Sequence, residues 1–307
     1  MPTRHRLLAA IVAVCWGLNF LAIDASLQHF PPFFLVALRF ALIAVPTVLL
    51  VPFPRVPVRW LVGYGLGFGT FQFLFLYWGM AAGMPAGLSS LVLQASAPFT
   101  VLLAAALLRN PLTPRAALGV LVAVAGLAVV GWQRLDGPAG FWPFVLVLAG
   151  ALSWALGNLC TAQARAPEPL HLTLWMSVVP PVPMLALSLV AEGPDRIADS
   201  LTRWDSPDAW PAVLGLAYTV LIGTVLGSGI WTWLMARHRA GTVAPFSMLV
   251  PVVGMSAAWL ALGETVSPGE AAGAVLVVAG VLVATRPPRP AAPLSASDPR
   301  PQAARAG

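Results

Sequence analysis

Three pairs of side chains in this sequence join an indole or a hydroxyl to a carboxamide at helical spacing: Trp16 with Asn19, Ser90 with Gln94, and Trp154 with Asn158. Residues three or four apart share one face of a helix, so each pair forms one hydrogen-bonding surface. All of them sit deep in long apolar stretches, as do Gln72 and Arg39. A carboxamide donates and accepts hydrogen bonds but supplies neither a nucleophile nor a titratable proton. The chemistry open to such a set is recognition of a small polar solute. The alternative use is bonding between helices, worth on average about 0.6 kcal/mol per bond in membranes. Trp16 and Trp154 also stand at corresponding places in the two halves of the chain, as expected of a cavity lined from both sides.

Arg39, in FLVALRFALIA, is the clear charge inside an apolar run. A charge at mid-membrane costs about 2.5–3.5 kcal/mol on insertion scales, so it is normally a site or a paired group. Its planar guanidinium suits a substrate carboxylate; it equally suits snorkelling or a bond to backbone carbonyls. Asp24 is its candidate partner. Glu264, in LALGETVSPGE, falls in a short link, where fixing the loop or capping a helix outweighs binding a coupling ion. Ser247 and Gln94 each precede a matched proline, Pro251 and Pro98, by four residues, and Tyr218 is expected to complete a wall with Trp231 and Trp233.

Enzymatic signatures are weak. His5, His29, His171 and His238 lie at ends or in loops without metal-spaced partners. Ser228, in GSG, has no histidine at a workable depth to activate it. The chain contains no lysine, so a Walker-type phosphate loop is absent and ATP-driven pumping by this chain alone is excluded. We expect no catalysis, no cofactor and no metal.

The elements that must position these residues follow from composition. Apolar residues make up 59% and charged residues 9% of the 307 positions, whereas charges alone are about a quarter of a soluble domain. Mean hydropathy is +0.84. Crossing hydrocarbon takes about 20 apolar residues per helix, and spans are expected at 7–26, 33–52, 60–82, 87–108, 115–132, 139–163, 170–191, 210–235, 241–262 and 269–285. The first run is read as a retained helix rather than a cleaved leader, because it is too long and carries Trp16 and Asn19. Cys15 and Cys160 lie within spans, which suits packing better than a disulfide.

The chain reads as one five-segment unit written twice. APFTVLLAAALLRNPLTPRAALGVLVAVAGLAVV from Ala97 shadows VPVVGMSAAWLALGETVSPGEAAGAVLVVAGVLVAT from Val250, with Pro98 over Pro251, Pro114 over Pro268, Gly119 over Gly273 and Gly126 over Gly280. Breaks near Gly83, Pro85 and Gly87, and near Gly241 and Pro245, precede the fourth and ninth spans at corresponding places. Interrupted helices at matching positions are a pointer to a transporter site. The organisation expected is a first repeat over 1–135, a second over 136–286, and a disordered tail over 287–307. An odd number of spans per repeat makes the two copies enter the membrane from opposite sides.

The net charge of +6 does not describe a nucleic-acid surface, since the arginines never gather on one face. Their placement gives orientation instead. Arginines of both chain ends and of the loops at 55–59, 109–115, 165 and 237–239 fall on one side, against Arg134, Arg196 and Arg203 on the other. By the positive-inside rule both termini are cytoplasmic. The stretch from Glu192 to Trp210, acidic and turn-rich, reads as an external loop.

The runs AVCWGLNF at Ala13, PPFFLVALRF at Pro31, GMPAGLSSLVLQ at Gly83, LSWALGN at Leu152, VAPFSMLVPVVG at Val243 and LALGE at Leu260 resemble the EamA branch of the drug/metabolite transporter superfamily, over about residues 7 to 285. Within it the likeness is nearest to bacterial exporters of O-acetylserine and cysteine. The resemblance implies an all-α membrane protein of the bacterial inner membrane: ten helices in two inverted five-helix repeats moving amino-acid metabolites outward by alternating access. A broader metabolite, aromatic amino-acid or drug exporter is the alternative. Partners are a small solute and the lipid bilayer, with no nucleic acid and no obligate protein partner. One departure stands out: where the first repeat usually has Gly-Glu, this chain has Arg109 and Asn110, while Gly263 and Glu264 are intact. The expected solute site comprises Trp16, Asn19, Arg39, Gln72, Ser90, Gln94, Trp154, Asn158, Tyr218 and Ser247.

Overall fold

The computed structural model describes residues 1–135, 140–238 and 240–285. The expected tail, 287–307, and the expected repeat junction at 136 lie outside them. Every regular element among the described residues is helical. Eight helices are long and apolar enough to cross a membrane: α1 (Thr3–Leu27), α2 (Pro32–Leu50), α4 (Ala86–Leu108), α5 (Pro114–Leu135), α6 (Trp142–Ala164), α7 (Pro169–Ala191), α9 (Ala209–Arg237) and α10 (Ala244–Leu262). Further helical runs are α3 over 58–81, the short α8 (Pro194–Thr202), the 17-residue α11 (Pro268–Ala284) and a single turn, Ala240–Val243, that leads into α10.

Helix starts are written in proline, which is pre-set for the first turn and has no N–H to lose there. Pro32, Pro169, Pro194 and Pro268 occupy such positions. At α11 a capping box adds to it: Ser267 accepts from the Glu270 amide at 3.1 Å and the Glu270 carboxylate accepts from Ser267 N–H at 2.9 Å. Two helix ends repeat one another. Gly263 closes α10 with φ +67° and Arg109 closes α4 with φ +54°. The cap conformation is shared between the copies, although at Arg109 a side chain has to tolerate a left-handed geometry that suits glycine.

The stretch from Glu192 to Trp210 is not loop throughout. Pro194 at the start and Asp195 in the first turn nucleate α8, and Ile197 and Ser200 turn inward. An acidic residue at a helix N-terminus is favoured by the backbone dipole, a local signal that the turn-rich composition obscures.

Packing is reciprocal. α1 lies against α9 and α10, while α6 lies against α3 and α4; α2 meets α7, and α5 meets α11. Lipid gives helices no hydrophobic reason to associate, so close backbone approach over small residues carries the load. The α5–α11 contact is a glycine seam. A Cβ at Gly126 would fall 2.6 Å from the Gly273 carbonyl oxygen and 2.7 Å from the Val277 nitrogen, and one at Gly280 would meet the Gly119 carbonyl at 2.6 Å. Gly119 pairs with Gly280 and Gly126 with Gly273, so the two helices run antiparallel. Gly17 sits likewise under Val253 of α10, and Gly157 under Phe68 of α3. Cys15 and Cys160 are both free.

Gly126→Val should cost about 1–3 kcal/mol by overpacking the seam, read as a lower thermal midpoint in detergent. Gly229→Ala, where a Cβ meets nothing within 4 Å, should leave the midpoint unchanged.

Candidate functional site

Helices α3, α4, α7, α9 and α10 depart from α-helical register beside the cavity described below. In α3 residues Gly65–Phe71 are π-helical, and in α9 so are Tyr218–Leu226. The sequence register that sets Gln94 over Ser247 and Pro98 over Pro251 sets these two segments over each other. A π-turn widens the backbone and leaves some carbonyls poorly served. Thr70 Oγ1 donates to the Gly65 carbonyl at 3.1 Å and Thr224 Oγ1 to the Thr219 carbonyl at 2.9 Å, each five residues back. The second matched irregularity is a 3₁₀ turn before each matched proline, at Leu93–Ala95 in α4 and Ala244–Met248 in α10. The break expected near Gly83, Pro85 and Gly87 lies where α3 ends at Ala81 and α4 begins at Ala86, with Gly83 at φ +102°, and Pro245 lies inside the 3₁₀ turn that opens α10.

Proline carries no N–H, so the carbonyl four residues before it has no helical donor. For Pro251 that carbonyl belongs to Ser247, and the Gln94 carboxamide Nε2 donates to it at 3.1 Å. A side chain of one half thus satisfies a backbone group freed in the other. Trp16 does the same at the π-helical stretch of α9, where its indole Nε1 donates to the Gly223 carbonyl at 2.8 Å. The fit depends on Gly227, at which a Cβ would stand 2.7 Å from that nitrogen. Asn158 Nδ2 donates to Thr100 Oγ1 at 3.1 Å, tying α6 to α4.

These helices enclose a cavity of about 380 Å³ lined by Trp16, Asn19, Arg39, Gln72, Ser90, Gln94, Trp154, Asn158 and Ser247. The structure thus brings together every expected site residue except Tyr218. Its hydroxyl instead donates to the Cys15 carbonyl at 3.0 Å, bracing α9 against α1. Trp231 lines the cavity and packs tilted against Trp16, with ring centroids 5.1 Å apart and planes at 51°, whereas Trp233 packs edge-on to His5 outside it. Sequence reasoning missed Tyr64, Thr161, Thr173, Thr224 and Thr232 in the wall. Hydroxyls of threonine within apolar helices commonly serve their own backbone, so nothing in their spacing singles them out. Ser228, examined in the sequence as a nucleophile, is a wall residue too.

Arg39 is 5% exposed and does not snorkel. Its Nη1 donates to the Tyr77 hydroxyl and its Nη2 to Thr224 Oγ1, both at 2.9 Å, and its guanidinium carbon lies 4.0 Å from the centroid of the Phe73 ring. Asp24 is not its partner: among the described residues no carboxylate stands within ion-pair distance of it. Arg39 Nε, the Asn19 carboxamide oxygen and the Gln72 carboxamide oxygen are buried without a hydrogen-bond partner. The wall therefore holds a cation, one free donor and two free acceptors.

The lining reaches close to the helix ends that meet at Ala164, Pro169, Arg237 and Ala244, through Thr161, Thr173, Thr232 and Ser247. At the opposite end two carboxylates close over helix starts. Glu264 accepts from the Ala86 and Gly87 amides at 2.7 and 2.9 Å, fixing the first turn of α4. Glu192 accepts from the Phe33 and Phe34 amides at 2.7 and 3.0 Å, fixing that of α2. The capping use expected of Glu264 is what its geometry provides.

Thr224→Val removes an acceptor from a buried cation and should cost about 1–3 kcal/mol, seen as a fall in thermal midpoint. Thr70→Val, which serves only a neutral carbonyl, should cost less.

Comparison with known proteins places the chain. The profile of the EamA-like transporter family matches residues 4–132 and again 141–286. A protein of Salmonella typhimurium named a probable amino-acid metabolite efflux pump is 41% identical over 288 residues, spanning 92% of this chain and 95% of its own length. Its counterpart in Escherichia coli K12, of the same name, is 38% identical over the same shares. A probable terminal-alkyne amino-acid exporter of Streptantibioticus cattleyicolor is 27% identical over 72% of this chain and 70% of its own. One solved crystal structure, 22% identical, overlays 93% of this chain and 98% of its own with a TM-score of 0.59, a likeness of fold.

Proposed function

The chain belongs to the EamA-like transporter family and is a multi-pass membrane protein, and on that footing we propose that it exports small amino-acid metabolites, O-acetylserine and cysteine among them, across a bacterial inner membrane. In this reading α3 and α11 join the eight apolar helices to make ten spans, in two inverted repeats over 1–135 and 136–286 with both termini cytoplasmic. The repeats rock about the central cavity, which opens alternately to either side. The antiparallel glycine seam and the matched π-helical and 3₁₀ segments support the two-fold arrangement. Export of amino-acid metabolites is what the names of the Salmonella and Escherichia relatives describe for those proteins.

The observation that carries the substrate class is the set of unsatisfied groups in the wall. A zwitterion brings an acceptor, its carboxylate, and a donor, its ammonium. Arg39 Nε lacks an acceptor, and the Asn19 and Gln72 oxygens lack donors. The excess positive charge, with no acid in the lining, disfavours cationic solutes, since an unpaired cation beside Arg39 meets only repulsion. A cavity near 380 Å³ is at the small end of ligand pockets, as an amino-acid derivative requires.

A second reading, export of aromatic amino acids, is favoured by the indoles of Trp16, Trp154 and Trp231 in the wall. A competition panel in proteoliposomes separates them: cysteine and O-acetylserine should compete for labelled cysteine efflux more strongly than tryptophan.

Efflux should saturate and show counterflow, the behaviour of a carrier rather than a channel. Gln94→Ala and Asn158→Ala should each lower kcat/KM by about threefold to tenfold, the equivalent of about 0.6–1.4 kcal/mol. Normal kinetics in both variants would remove them from the site.

A further inference from the structure

The two carboxylates at the closed end of the bundle are built alike. Each comes from the C-terminal half of the chain and spans two successive backbone amides at the start of an N-terminal-half helix: Glu192 on Phe33 and Phe34, Glu264 on Ala86 and Gly87. Glu192 is buried and its Oε2 accepts a further bond from Ser188 Oγ at 2.6 Å. Both oxygens of each carboxylate face donors, an arrangement that only the ionised form can satisfy. A carboxylic acid spends one oxygen as a donor, and that O–H would point at an N–H. Binding a proton and holding the helix start therefore exclude one another.

At the opposite end the repeat offers no equivalent. The position matching Glu264 is Asn110, which follows the left-handed cap at Arg109. Among the described residues no other Asp or Glu side chain bridges from one half of the chain to backbone amides of the other. The clasps are thus one-sided, at the end placed outside in the reading above, on which this inference rests.

We propose that Glu192 and Glu264 are a proton-operated latch: ionised, they hold the outer end shut, and a proton bound by each releases α2 and α4 so that the cavity opens outward. The step is simple protonation, carboxylate plus proton giving carboxylic acid, with no other bond made or broken. Linkage gives the direction. Protons bind only the unlatched state, so acid on the outer side favours the outward-open form and the return to the closed form expels the protons. An exporter with this device is gated by the pH of the outer side.

Other charged groups share this end. Asp24 of α1 lies near enough to Glu264 for the two charges to act on one another. His29 Nε2 donates to the Ser200 carbonyl of α8 at 2.8 Å, and Arg196 and Asp199 of α8 line the same outer vestibule. Arg134 of α5 pairs with Glu270 of α11 at 3.7 Å. Asp24 and His29 are the groups whose own titration has to be separated from that of the latch.

The test needs no substrate. With Cys15 and Cys160 replaced by alanine, spin labels are placed at Ala81, at the end of α3, and at Thr265, in the link carrying Glu264. Their separation is measured by pulsed electron resonance in lipid nanodiscs between about pH 7 and about pH 4, which brackets the ordinary carboxylate range. The expected result is one short separation near neutrality and a growing longer population in acid. The Glu192→Gln/Glu264→Gln double variant should show the longer population throughout, because an amide cannot accept from two N–H groups with both its heavy atoms. Separation independent of pH, a double variant that stays short at neutrality, or a pH response abolished by Asp24→Asn or His29→Gln alone would each overturn the latch. In proteoliposomes the counterflow rate of the unaltered protein should respond to the pH on the latch side, and the double variant should lose that response while retaining counterflow. Absence of any amino-acid flux from the unaltered protein, with the distance response intact, would instead sink the transport reading and leave the latch standing.

Discussion

Lipid offers no hydrogen bonds, so each backbone group that a helix fails to satisfy has to find its partner inside the bundle. The central cavity of this protein is lined by such failures. Pro251 orphans the Ser247 carbonyl, and Gln94 reaches from the other half to meet it. The π-helical stretch of α9 presents the Gly223 carbonyl, and Trp16 meets that. Even the first turns of α2 and α4, whose amides no helix can serve, are met by carboxylates from across the chain. Polar side chains that look superfluous in an apolar sequence are the complement of these backbone vacancies, and the helices are joined by them.

The same accounting explains why Arg39 is tolerated. It sits between Tyr77 of α3 and Thr224 of α9, with an aromatic face beneath it, so two of its donor groups and its charge are partly compensated by neutral neighbours. Thr224 is itself held by the π-turn it belongs to. The helical irregularity, the hydroxyl and the cation form one unit across the halves. Disturbing the register of α9 alters the field in the cavity.

How far the sequence foretold this differs by feature. Helices α1 through α7 and α9 through α11 fall within a few residues of the expected spans, because long apolar runs bounded by proline and glycine have few other ways to satisfy their backbone. Gln94, Ser247 and the paired prolines were legible because proline acts on a fixed neighbour, four residues back. The π-helical segments were not, since a one-residue change in hydrogen-bond register leaves no compositional trace. Their threonines were accordingly missed, and Tyr218 was placed in the wall when its hydroxyl braces α1. The α8 helix was hidden by a turn-rich composition. Asp24 was matched to Arg39 on charge and depth alone, and the hydroxyls that serve Arg39 come from residues whose spacing gives no hint of it.

Exchanging the halves maps the Gly119–Gly280 contact of the glycine seam onto the Gly273–Gly126 contact, so the surface is self-complementary, as an isologous dimer interface is. In the inverted arrangement proposed above, a half-length unit threaded through the bilayer in both senses would already possess this junction.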